Sequence, residues 1–219
     1  MATSLKIDFV SDVSCPWCVI GLKALEQALT RLDGAVAADL HFQPFELNPQ
    51  MPAGGQDIGE HIAQKYGASA EQSARNREAI RARGAELGFT FNMDARGRIY
   101  NTFDAHRLLH WAGLEGRQHE LKQALFDAYF TAGKNPSDTQ VLIDSAVAAG
   151  LDATRAAEIL SNGEYAAEVR EREEFYRTQG IQAVPSVIVN DKWLIQGGQP
   201  VEAFEQALRQ IATEQQQGA

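Results

Sequence analysis

Residues Leu5 to Val10 alternate apolar and polar as a short strand does, whereas Leu22, Leu25, Ala28, Leu29 and Leu32 recur at the spacing of one helix face. A second strand is predicted between Ala38 and Phe45, where Leu40, Phe42 and Pro44 alternate with His41 and Gln43. Met51-Pro52-Ala53-Gly54-Gly55 then breaks all regularity. From about Asp57 to Tyr176 the pattern is almost wholly helical, with helices expected near 57–66, 69–87, 102–113, 117–132, 138–149, 152–161 and 163–179. Ser137 with Gln140 resembles a capping box, Gly150 and Gly180 look like helix stops, and Phe89 to Tyr100 reads as a loop or short extended segment. Extended structure returns in the β-prone run Pro185 to Val189, a turn at Asn190-Asp191, and a strand over Lys192 to Ile195. Gly197-Gly198 leads into a last amphipathic helix with Val201, Phe204, Leu208 and Ile211 on one face, followed by a polar tail from Glu214 to Ala219.

The order is therefore β-α-β, a helical block, then α-β-β-α. The two outer pieces can share one sheet if the block is an insertion. This predicts an α/β chain in which 1–50 and 165–213 form one discontinuous domain and 51–164 a helical insertion, with 214–219 a flexible tail.

A chain of 219 residues buries a sound core without staples, and two cysteines exclude a disulfide scaffold. The net charge of −9 disfavours nucleic acid and anionic membranes as partners. The nearest basic cluster, Arg75, Arg77, Arg81 and Arg83, is interleaved with Glu71, Glu78 and Glu86 and reads as a solvated helix face. No basic n-region followed by an apolar core opens the sequence, and no apolar run approaches membrane-span length, so a cytoplasmic location is expected.

Both cysteines lie in Cys15-Pro16-Trp17-Cys18, where the first strand hands over to the first helix. Ser11, Asp12 and Ser14 offer N-cap side chains, and Pro16 falls where a first helical turn tolerates proline. The helix dipole and unpaired N–H groups favour a thiolate on Cys15, and Cys18, one turn on, can attack a mixed disulfide formed there. A structural disulfide closing so short a loop gains little, and zinc needs two further ligands. Inert core thiols are the third alternative, and a turn rich in Ser, Asp and Pro is a poor place for a core. His106 and His110 are four apart on a helix, yet they belong to the insertion, and no metal site is expected; His106 is expected to bridge helix and sheet. His41, His61 and His119 read as surface or edge residues.

Cys15-Pro16-Trp17-Cys18 after a first strand, the helical insertion, and Val184-Pro185 before the third strand together resemble the DsbA-like thioredoxin superfamily. Within it, Pro44-Phe45-Glu46-Leu47-Asn48-Pro49, Asn101-Thr102-Phe103-Asp104-Ala105-His106-Arg107, Val184-Pro185-Ser186 and Gly197-Gly198-Gln199-Pro200 are similar to the FrnE-like branch of cytoplasmic dithiol oxidoreductases. The resemblance covers nearly the whole chain. It implies a thioredoxin fold, a redox pair made of Cys15 and Cys18, and a cis bond before Pro185. It also implies substrate docking by Pro16, Trp17, Val184 and Pro185, where the Val184 backbone can pair with an extended peptide. Trp17 is expected to be exposed. Glu46 is a candidate proton relay for the buried thiol, set against a plain surface or capping role, with Asn48 and Asn101 weaker candidates. No tightly bound cofactor is needed, and the implied partners are thiol- or disulfide-bearing proteins or glutathione. The alternatives are a glutathione-dependent isomerase or transferase resembling 2-hydroxychromene-2-carboxylate isomerase, which generally carries serine in place of the first cysteine, and a holdase-type chaperone. The last helix and the insertion offer surface for a homodimer, which nothing in the pattern demands.

Overall fold

The computed structural model describes residues 2–217. Strand β1 (Thr3–Ser11) buries Leu5, Ile7 and Phe9 on the face that receives helix α1 (Pro16–Arg31), and α1 returns the chain to β2 (Val36–Pro44), which lies parallel to β1. A parallel pair needs such a crossover. At the far end of the chain, β5 (Ser186–Val189) pairs antiparallel with β1, and β6 (Trp193–Gln196) pairs antiparallel with β5. The four strands form one sheet in the order β2-β1-β5-β6. Asn190 and Asp191 turn β5 into β6 with φ of 51° and 54°, the left-handed pair that a two-residue hairpin requires. Helix α9 (Val201–Gln217) lays Val201, Phe204, Leu208 and Ile211 beside α1 on the sheet.

Between β2 and β5 run α2 (Ile58–Tyr66), α3 (Ala70–Glu86), α4 (Phe103–Leu114), α5 (Gln118–Phe126), α6 (Thr139–Ala148), α7 (Ala153–Asn162) and α8 (Ala166–Thr178). The helical block also carries a small ribbon, β3 (Gln56–Asp57) against β4 (Arg98–Ile99). Its own core gathers Leu108, Trp111, Leu121, Leu125, Leu142 and Ile159, and Val13, from the loop before Cys15, is buried in that same core. The dithiol loop is thereby anchored to both halves of the molecule. Gln118 closes the open edge of β2: its side chain accepts from the Phe42 N–H at 2.9 Å and donates to the Phe42 carbonyl at 3.0 Å.

The sequence-based boundaries need four corrections. The cap of α6 is Asp138, which accepts from the Val141 N–H at 3.0 Å, while Ser137 turns away to Asn135; a carboxylate one residue later occupies the capping position. The capping box in this chain belongs to Ser69 and Gln72 at the start of α3. The expected helix over 117–132 is α-helical only to Phe126 and widens into a π-turn over Asp127–Thr131. The polar tail is helical through Gln217, because Gln215 bonds Asn190 and Gln216 bonds Thr3, which ties the end of α9 to the sheet.

Candidate active site

Cys15 is the residue at which the extended chain becomes helix, with φ −92° and ψ 115°, and Pro16 occupies the first turn of α1. No side chain caps this end, contrary to the expectation for Ser11, Asp12 and Ser14. Asp12 is instead spent on the loop itself, accepting from the Ser14 N–H at 3.1 Å and from the Leu47 N–H at 2.7 Å. The first-turn N–H groups thus stay free of a competing side chain beside the Cys15 sulfur. Cys18 sits one turn deeper, its N–H donating to the Cys15 carbonyl at 3.1 Å. Both thiols are free, Cys15 is 4% exposed and Cys18 is fully buried.

That burial overturns the view of this turn as a poor place for a core. Ser11, Asp12 and Ser14 are buried too, because the loop passes between the sheet and the helical block. Burial first, and then the neighbouring Cys15, push the Cys18 thiol well above its usual range, while the positive charge of Lys122 acts the other way.

The Val184-Pro185 peptide bond is cis, and the Val184 carbonyl lies 3.7 Å from the Cys15 sulfur, positioned to accept from the thiol. Glycines allow α1 to approach this loop. A Cβ on Gly21 would stand 2.9 Å from Pro185 Cγ, and one on Gly198 would stand 3.1 Å from the Trp17 carbonyl. Gly21→Ala is expected to push Pro185 off α1, costing about 1–3 kcal/mol in urea denaturation and slowing disulfide exchange. Wild-type exchange in a destabilised variant would show that this contact does not position the loop. Trp17 is 38% exposed between the two cysteines, on the outer side of the helix start.

The other candidate residues fall into separate groups. Glu46 is buried, with its carboxylate held by the Arg170 guanidinium and by the Asn101 amide at 3.1 Å. Asn48 accepts from Lys65 at 2.7 Å. His106 is buried and its Nε2 faces the Asp12 carboxylate across 3.7 Å, longer than a hydrogen bond, which packs α4 against the loop that leaves β1. Burial disfavours ionised Asp12, but the His106 imidazole and the Leu47 and Ser14 N–H groups outweigh it and hold the carboxyl below its usual range. His110 stacks on Tyr165, and His61 is buried against Gln56 rather than exposed. Among the described residues, no three His, Cys, Asp or Glu side chains gather as a metal-ligand set.

Two charged residues at the site escaped the sequence reading. Lys122 on α5 is fully buried, with its ammonium over the Phe126 and Phe42 rings at 5.0 and 5.8 Å and its charge acting on Cys18, Asp12 and Cys15. Its signal was present: it falls in the apolar stripe of Leu121, Leu125 and Phe126. Arg96, from the loop before β4, lies over the Tyr129 and Phe130 rings, close enough to Cys15 for their charges to interact. Nothing local in its irregular segment distinguishes it.

Comparison with known proteins agrees with this geometry. The crystal structure of a probable DsbA oxidoreductase, SCO1869 from Streptomyces coelicolor, superposes with a TM-score of 0.88 at 32% identity, over 94% of this chain and 89% of that one. The uncharacterized protein YwbO of Bacillus subtilis (strain 168) is 26% identical over 94% of this chain and 96% of its own length. The cytosolic disulfide reductase DsbM from Pseudomonas aeruginosa, solved with GSH, shares the fold at a TM-score of 0.64 and 14% identity, over 94% of this chain and 98% of that one. Residues 6–209 match the family described as the DSBA-like thioredoxin domain, and with a dithiol at the first helix and a cis-proline loop against it, the chain belongs to that family.

Proposed function

We propose that the protein is a thiol–disulfide oxidoreductase of the FrnE-like kind, acting through Cys15 and Cys18 in a reducing, cytoplasmic setting. The observation that carries this reading is the Cys15 sulfur at an uncapped helix start, 3.7 Å from the Val184 carbonyl, with Cys18 buried one turn below. Cys15 attacks a substrate disulfide, or its sulfur is attacked when the pair is oxidised, and Cys18 resolves the mixed disulfide. A pair arranged in this way needs no bound prosthetic group. Trp17 and the Val184-Pro185 backbone flank the reacting sulfur, in reach of an extended peptide or a small thiol.

Glutathione or another small thiol suits such a pair, because a soluble thiol is enough to return it to the reduced state by exchange. A glutathione-dependent isomerase would have no use for the second thiol.

Equilibrating the protein in glutathione buffers, with alkylation of free thiols as the readout, tests the reading. A Cys15–Cys18 disulfide with a potential from about −120 to −200 mV marks an oxidant or isomerase, and one near about −270 mV a reductant. A dithiol that never closes at any poise would remove the oxidoreductase reading.

A further inference from the structure

Asp12 is the acidic residue inside the turn that carries the cysteines, and it has no exposed surface. A buried carboxylate is costly unless its oxygens are bonded, and here backbone N–H groups bond it on two sides. Towards the dithiol, its Oδ1 accepts from the Ser14 N–H at 3.1 Å, and its own carbonyl accepts from the Cys15 N–H at 3.2 Å. Side chain and backbone of Asp12 together wind the turn that delivers Cys15 to the start of α1.

On the other side, Oδ2 accepts from the Leu47 N–H at 2.7 Å. Leu47 lies in a segment that three helices of the insertion hold. Lys65 at the end of α2 donates to the Leu47 carbonyl at 2.8 Å and to the Asn48 side chain at 2.7 Å. Glu46 is held by Asn101, just ahead of α4, and by Arg170 on α8. Val13, next to Asp12, is buried in the core of the insertion. The Cys15 backbone is therefore referred, through one carboxylate, to a segment clamped from outside the sheet.

We infer that Asp12 is a positioning residue for the resolving step, fixing the Cys15 backbone so that a sulfur bound to Cys15 stays in line with Cys18. The inference rests on the dithiol reading above. In that step the Cys18 thiolate bonds to the Cys15 sulfur, and the bond from Cys15 to the substrate sulfur breaks. Both electrons of that bond leave with the substrate thiolate; the protein pair is oxidised by two electrons, the substrate disulfide is reduced, and the Cys18 proton passes to solvent. The first attack asks only that the Cys15 sulfur be reachable, which a loosened turn still provides. Resolution needs three sulfurs in line, and Cys18 rides on α1 whereas the direction of Cys15 is set by the turn before it.

Mixing reduced protein with dithiobis(nitrobenzoate) reads the two steps separately, one nitrothiobenzoate leaving on Cys15 attack and a second on resolution. Asp12→Asn keeps one acceptor oxygen and sets an amide N–H against the other backbone donor, and should lower the ratio of second-phase to first-phase rate about tenfold. Asp12→Ala loses both acceptors and should lower that ratio about a hundredfold. Asp138→Ala is the control: it removes a carboxylate that caps α6 far along the insertion, so it should weaken the fold and leave the ratio as in the wild type. A wild-type ratio in both Asp12 variants would overturn the inference, and so would an equal fall in Asp138→Ala, which would make it a general effect of stability. If neither Asp12 variant folds, amide hydrogen exchange in the reduced wild type decides. Ser14 and Leu47 N–H groups protected as stable hydrogen bonds are expected, and exchange at the unprotected rate would overturn the positioning role. A wild type that shows a first phase but no second would sink the dithiol reading, and this inference with it.

Discussion

Cys15→Ser should abolish disulfide exchange, and Cys18→Ser should halt it one step later. Cys15 is the thiol at the helix start, beside the Val184 carbonyl and between the exposed Trp17 and the Pro185 loop. Cys18 has no exposed surface, so a substrate sulfur meets it only after Cys15 has been engaged. A serine hydroxyl at position 15 is a far weaker nucleophile than a thiolate, and a loss of roughly a thousandfold or more is expected in reduction of a disulfide substrate. Cys18→Ser keeps the first attack and loses the resolving thiol. It should accumulate a covalent adduct with oxidised glutathione, seen by intact-mass spectrometry as one glutathionyl group on Cys15. Full multiple turnover by Cys18→Ser would point to a monothiol mechanism in which glutathione resolves the intermediate. Retained turnover by Cys15→Ser would mean that the redox chemistry lies elsewhere.

The second large effect is on stability. Lys122 is fully buried, and burial lowers its hold on a proton from 10.5 to about 8 despite the nearby Asp12, Cys18 and Cys15. Below about pH 8 the lysine is charged in both the folded and the unfolded chain, and the folded chain carries the cost of burying that charge. Between about pH 8 and 10.5 the folded lysine is neutral while the unfolded one is still protonated, so the cost fades as pH rises. At 1.36 kcal/mol per pH unit, the cost at neutral pH is about 3 kcal/mol. Lys122→Met fills the same space without a charge, and should therefore be more stable than the wild type by about that amount at neutral pH. The advantage should shrink towards nothing near pH 10. Urea denaturation of both proteins under reducing conditions at the two pH values measures this directly. A Met variant less stable than the wild type at neutral pH would mean that the lysine is satisfied in the folded protein.

The strands, the helix positions and the dithiol were legible because each is a local property. Alternation in Leu5 to Val10, the helical periodicity of the central block and the turn chemistry of Asn190-Asp191 are written within a few residues, and the structure places elements at these positions. The errors were equally local in origin. Ser137 and Asp138 compete for the same cap, and only the direction of chain entry decides between them. The Glu214–Gln217 segment looks like a tail until Gln215 and Gln216 find Asn190 and Thr3, residues far away in the sequence.

The sequence by itself determined the order of elements, the place of Cys15 and Cys18 at the first helix start, and the Val184-Pro185 pair ahead of β5. Only the tertiary structure decided what surrounds the sulfurs. It buries the Ser- and Asp-rich turn by passing it between sheet and insertion, ties Glu46 to Arg170, and brings Lys122 and Arg96 from the insertion to the dithiol. The reason is physical: periodicity reports which face of an element is apolar, whereas the charge felt by a thiol depends on partners about a hundred residues away, placed by packing alone.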